Sequence, residues 1–368
     1  MLHRTNILRE FDLRLEGRDQ LLERHRLEAG TWERDGFRVI SRGTDVALDH
    51  LEVPQPFAAA ANALGARWQY VRLRLSETIR KVSSGSNQRE QIQHLAYWEV
   101  TSYGRTFALL QSAKLEWTHS EIELALTQLA EWEARNTRFV MLPKATRVSH
   151  ALPIILAPAA LGALLHELVG HRLESDRHKV PIDLPTKTPL PIDVWDVPGD
   201  PGQPGYTPFD DFGTIADPVR LLNGADQTQT FLSAATGSLR AADHRFHPIV
   251  RQRCLEAVIR EGAENTSPSS GIVVAEFETG DALGDRVELV SSIQFLQQDG
   301  RRESLPPLKI RVVPAALMSL QVFGPSASWS PGGGCHKSLQ RGLPVTHTAP
   351  WGFFSHNSNG IQLELGRA

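Results

Sequence analysis

The chain has 368 residues, 41% hydrophobic and 22% charged, with a formal net charge of −3. That length admits a sizeable core and two domains, while the small negative charge excludes general attraction to nucleic acid or acidic membranes. No apolar run reaches the roughly 20 residues that span a bilayer, and the N-terminus lacks the apolar core of a signal peptide, so a cytoplasmic location is expected. Two cysteines, Cys254 and Cys335, are too few for a disulfide framework.

Residues 6–33 are charged and helical in pattern, with Leu8, Phe11, Leu13, Leu15, Leu21 and Leu22 as apolar positions. Residues 37–40 form a short strand candidate, and a helix follows at 57–64. Residues 68–75 alternate as a half-buried strand does. Residues 89–101 and 103–111 also read as strands, separated by a turn at Gly104. Residues 119–134 form an amphipathic helix whose buried face holds Ile122, Leu124, Leu126, Leu129 and Trp132. A boundary falls at 142–150. The expected architecture is α+β, in two domains with mainly antiparallel sheets: an N-terminal α+β domain at 1–145 and a strand-rich domain at 146–368, opened by the helix described next, whose residues make it the expected metal-binding domain.

Residues 157–176 read as one helix, with Pro158 in its first turn and Leu161, Leu164, Leu165 and Leu168 as an apolar stripe. On it stand His166, Glu167 and His171. Zinc-protease helices carry their histidines at i and i+4; here the second falls at i+5, roughly 140° round a regular helix. Two imidazoles so disposed cannot both reach one ion at about 2 Å. Either the pattern is accidental or the helix holds an extra residue as a π-bulge, a distortion found mostly at functional sites. Gly170 offers such a distortion the least steric resistance.

Prolines at 181, 185, 189, 191, 198, 201, 204 and 208 exclude helix and central strand from 180–208. The stretch reads as a lid or wall near a site, or as a surface excursion. Asp210 and Asp211, before Gly213, could orient a ligand or substrate, or simply form a turn. Strands at 219–222 and 228–232 flank an Asn223-Gly224 hairpin signal. Further strands are expected at 249–260, 272–277, 286–295 and 308–313. Three glycines precede Cys335, whose thiolate could complete a zinc site or could be a free thiol in a flexible loop.

Three blocks resemble the TldD/PmbA metalloprotease family. His166-Glu-Leu-Val-Gly-His171-Arg-Leu-Glu174-Ser-Asp176 is similar to the His-Glu-x-x-Gly-His-x-x-Glu-x-Asp signature of its catalytic TldD branch. Asp210-Asp-Phe-Gly-Thr resembles Asp-Asp-Glu-Gly-Thr, and Cys335-His-Lys-Ser-Leu-Gln-Arg-Gly-Leu-Pro-Val resembles Cys-Gly-Lys-x-Gly-Gln-x-Val-Pro-Val. The chain departs from the family in its shorter N-terminal part, in Phe212 for an acidic residue, in His336 for a glycine, and in its Pro-rich loop.

The resemblance implies zinc held by His166, His171 and Cys335, with Glu167 as general base and with peptides or peptide-like natural products as substrates. Glu174, Asp176, Asp210, Asp211 and His336 become candidates for supporting the ligands or contacting substrate, and Glu174 could itself be a ligand. A homodimer or a heterodimer with another family member is implied. Two other readings are a tailoring enzyme acting on a small amide or amine-bearing metabolite, and a non-catalytic partner subunit.

Overall fold

The computed structural model of the chain describes residues 2–16, 20–33, 36–43, 68–84, 87–102, 105–112, 142, 152–176, 181–240, 248–291, 293–337, 340–355 and 360–365. The helices expected at 57–64 and 119–134 lie outside them, as does nearly all of 142–150. Among the described residues, no helix is long and apolar enough to cross a membrane.

Six strands from the first part of the chain form one antiparallel sheet. Its order is Gly36–Gly43, Gln20–Glu33, Leu2–Glu16, Trp68–Ser84, Asn87–Ser102, Arg105–Ser112. The helix expected over 6–33 is therefore corrected to two strands. Phe11, Leu13 and Leu15 alternate with Asp12, Arg14 and Glu16 at a period of two, which is strand spacing. The register sets Ile7 opposite Ile79, Phe11 opposite Leu75 and Leu13 opposite Leu73.

A nine-stranded sheet follows, in the order Arg301–Ser304, Ile293–Gln298, Gly271–Glu276, Ile154–Leu156, Thr346–Phe354, Cys254–Ile259, Ile192–Val197, Val219–Leu222, with Leu320–Trp329 also paired to Thr346–Phe354. Two of its pairings are parallel, Ile154–Leu156 with Gly271–Glu276 and Cys254–Ile259 with Thr346–Phe354; the rest are antiparallel. The expectation for 180–208 is corrected here. Ile192–Val197 is an internal strand that fits in the gap between Pro191 and Pro198, so the prolines bound it without removing its hydrogen bonds. Around it, the backbone carbonyls of Pro204 and Tyr206 accept from Gln93 and Gln91.

Four antiparallel strands, Thr279–Leu283, Arg286–Ser291, Leu308–Val312 and Ile361–Leu365, make a further sheet. The single strand expected at 286–295 divides, its first half in this sheet and its second in the nine-stranded one. The helix Pro158–Leu165 shares one core with both. Leu161, Leu164, Leu165 and Leu168 are buried together with Val274 and Ala349 of the larger sheet and Leu289 and Ile310 of the smaller. Each such leucine contributes about 1.5–3 kcal/mol by burial. A helix apolar on every side belongs inside the protein, and this placement presents its C-terminal end to a cavity.

Candidate metal centre

Beyond Leu165 the helix widens. His166–Gly170 is one π turn and His171–Leu173 a 3-10 turn, so the helix ends at Leu173 rather than continuing to Asp176. In the π turn the His171 N–H donates to the His166 carbonyl, five residues back. The extra residue brings the two rings together, centroids 4.7 Å apart and edge to face. Gly170 has right-handed φ −56° and ψ −59°, a conformation open to any residue. Its lack of a side chain serves space instead: a Cβ there would lie 2.0 Å from Gln252 Oε1. Gln252 donates its side-chain N–H to the His166 carbonyl (3.1 Å) and its backbone N–H to Glu174 (3.0 Å).

Cys335 comes from the short strand Cys335–Lys337. Gly334 before it takes φ +64°, and a Cβ there would meet the Leu343 carbonyl at 2.7 Å. Arg251, buried, donates to the Cys335 carbonyl. The sulfur then lies 3.2 Å from His166 Nε2 and 3.3 Å from His171 Nε2. All three residues are buried, and their donor atoms lie within 4.8 Å of one another. Zinc–ligand distances of about 2.0–2.3 Å need donors of one ion roughly 3–4 Å apart, and two nitrogens with one thiolate are a donor set zinc favours. The residues present fit such an ion.

The electrostatics around the two rings differ. Burial, with His347, His171 and Arg251 nearby, holds His166 well below the usual imidazole range. Burial also opposes charge on His171, but Glu174, Cys335 and Glu167 lift it well above that range. Glu174 accepts from His171 Nδ1 at 2.9 Å and lies 2.8 Å from Lys337 Nζ. Burial would raise this carboxyl, yet His171 and Lys337 bring it down to about 2. Facing Nδ1, Glu174 backs the ring nitrogen turned away from Cys335, which is where a metal-ligating histidine carries its orienting partner.

Glu167 stands beside the cluster, one carboxylate oxygen 3.9 Å from His171 Nε2. A cavity of about 360 Å³ opens on His166, Glu167 and Cys335, with Glu276, Trp329 and the edge strand at Thr279–Asp281 forming further wall. Gly280 on that strand leaves room for Glu167, whose Cγ would sit 2.9 Å from a Cβ there. Glu276 follows a β-bulge between Val274 and Glu276, a device that re-aims side chains beside sites. Burial, reinforced by Glu278, pushes its carboxyl up to about 8.

Other candidates from the sequence sit elsewhere. Asp210 accepts backbone N–H groups of Phe212, Thr214 and Leu239, and Asp211 pairs with Arg80 of the six-stranded sheet at 2.9 Å. Asp210 serves the turn, Asp211 ties that turn to the six-stranded sheet, and neither lines the cavity. No described residue of 181–208 lines it either. Asp176 pairs with Lys337. His336 is exposed on the cavity rim, its Nε2 3.0 Å from the Gly333 carbonyl. The sequence reading missed His347, Gln252, Lys337 and Glu276. His347 and Lys337 lie close to Cys335 in the chain, the one signal that could have marked them.

No protein-family model matches the sequence, and no curated protein does. Solved structures do match. TldE from Thermococcus kodakarensis superposes with a TM-score of 0.64 at 11% identity, over 96% of this chain and 95% of that one. A candidate modulator of a DNA gyrase from Thermotoga maritima gives 0.60 at 13% identity, over 99% and 95%. Another, from Bacteroides thetaiotaomicron, gives 0.53 at 14% identity, over 99% and 94%. The chain therefore has the α+β fold of TldE and these gyrase-modulator candidates, the fold that its resemblance to the TldD/PmbA family implies.

Proposed function

We propose that this chain is a zinc-dependent hydrolase of the TldD type that cleaves peptides. One observation carries the reading: the Nε2 atoms of His166 and His171 and the sulfur of Cys335 converge beside Glu167, and His166, Glu167 and Cys335 line one cavity. These three side chains would hold the ion. Zinc bound there supplies Lewis acidity toward a carbonyl and toward water. Glu167 accepts the proton of the attacking water and passes it to the leaving amine. Glu174 holds the His171 proton on Nδ1 and so leaves its Nε2 facing the Cys335 sulfur.

Among the described residues, Thr279–Leu283 is an edge strand of its sheet, paired on one side with Arg286–Ser291, and its first residues line the cavity. An extended peptide adding to that edge gains backbone hydrogen bonds with little demand on sequence. The reading carries with it a division into units at 1–145 and 146–368, supported by the confinement of the six-stranded sheet to residues 2–112. It also carries a cytoplasmic location, no nucleic-acid role, and a homodimer or a heterodimer with a TldD/PmbA-type subunit.

The test is Glu167→Gln assayed on unstructured peptides at equal zinc content. Turnover should fall by about 10²–10⁴; full turnover in this variant rejects Glu167 as the base. One observation favours a second substrate class. Glu167, Glu276, Glu278 and Asp281 line the cavity, and no lysine or arginine is among its described lining residues, which suits a small amide or metabolite bearing an amine. A panel of short peptides against small amino-amides separates the two.

A further inference from the structure

The two imidazoles are backed differently, and the difference is informative. His171 Nδ1 faces a carboxylate, which can only accept a proton while it is ionised. His166 Nδ1 faces His347 Nε2 at 2.8 Å, a nitrogen that either donates or accepts. Two neutral arrangements satisfy this contact. In one, His347 Nε2–H donates to His166 Nδ1, and the His166 proton on Nε2 points at the Cys335 sulfur, 3.2 Å away. In the other, His166 Nδ1–H donates to His347, and the Nε2 lone pair faces His171 and Cys335. Only the second leaves His166 able to ligate.

His347 is built into this position. Its strand, Thr346–Phe354, is paired on both sides, with His347 opposite Leu255 and Trp329. It packs so closely on the metal helix that a Cβ at Gly162 would lie 2.6 Å from the His347 Cβ. The side chain is 3% exposed, and its Nδ1 has no hydrogen-bond partner among the described residues. No described acceptor therefore fixes the His347 proton on Nδ1. The choice between the two arrangements is made at the His166 contact and by whatever occupies the site.

We propose that His347 is a positioning residue for the metal site, accepting the His166 Nδ1–H so that the His166 Nε2 lone pair is presented to the ion. Both arrangements carry the same number of protons, so loading moves one proton within each ring and adds none to the pair. The inference rests on the metal reading above and is independent of peptide hydrolysis.

The experiment is zinc affinity by chelator competition for wild type, His347→Gln and His347→Phe, with nitrogen-detected NMR of the imidazoles in zinc-loaded wild type. Gln retains an acceptor; Phe fills similar space without one. The Phe variant should bind zinc about 10–100-fold more weakly, with Gln recovering most of the loss. The spectrum should show His166 and His347 each protonated on Nδ1. A Phe variant as tight as wild type overturns the proposal. So does a His347 proton on Nε2 in the loaded protein, a readout that needs no variant to fold. Zinc bound with the expected tautomers but no peptide cleaved supports this inference and removes the peptidase reading. A wild type that takes up no zinc overturns both.

Discussion

One carboxylate oxygen of Glu174 lies 2.9 Å from His171 Nδ1 and 2.8 Å from Lys337 Nζ. A single buried atom thus orients His171 on the helix and ties it to the strand that carries Cys335. Glu174→Gln keeps the size but loses the charge that faces both partners. Zinc affinity should fall by about 10–100-fold, measured by chelator competition. Unchanged affinity would mean that the carboxylate only packs.

Gly170→Ala tests why the π turn has a glycine. The added methyl meets Gln252, which is buried and hydrogen-bonded at both its backbone and its side chain. The variant should lose about 1–3 kcal/mol in urea unfolding, as overpacked cores do. Gln252→Ala should cost less in the Gly170→Ala background than in wild type, giving a coupling energy in the double-mutant cycle. Additive losses would contradict the contact.

Glu276 supplies a pH dependence. Its folded carboxyl is pushed up to about 8, above an unfolded value near 4.3. The folded state therefore holds the extra proton between these values, and stability falls as pH rises through that window. Glu276→Gln should flatten that fall in metal-free protein unfolded at pH 5, 7 and 9. A variant whose curve parallels wild type would place the dependence in other groups.

Arg80 and Asp211 join the six-stranded sheet to the turn at 209–214, with the guanidinium also donating to Gln91 and the Phe209 carbonyl. Asp211→Asn should lower stability by about 1–2 kcal/mol while leaving zinc affinity unchanged. A large loss of zinc affinity would return Asp211 to the metal site.

The unusual histidine spacing was legible because an i, i+5 pair makes sense only with an added residue, and the π turn supplies it. The purpose of Gly170 was not, since the space it leaves is filled by Gln252, far along the chain. His347 was hidden for the same reason: its hydrogen bond spans 181 residues. The first two strands were misread because Leu21 and Leu22 break the alternation that Phe11, Leu13 and Leu15 keep. Proline counting failed at 192–197, where spacing between prolines mattered more than their number.

The most direct measurement is zinc content and X-ray absorption of purified wild type beside Cys335→Ser. The account predicts one zinc per chain with two nitrogen ligands and one sulfur in wild type, and loss of the sulfur shell with most of the metal in the variant. Equal zinc in both proteins, or a wild-type spectrum without sulfur, would contradict it.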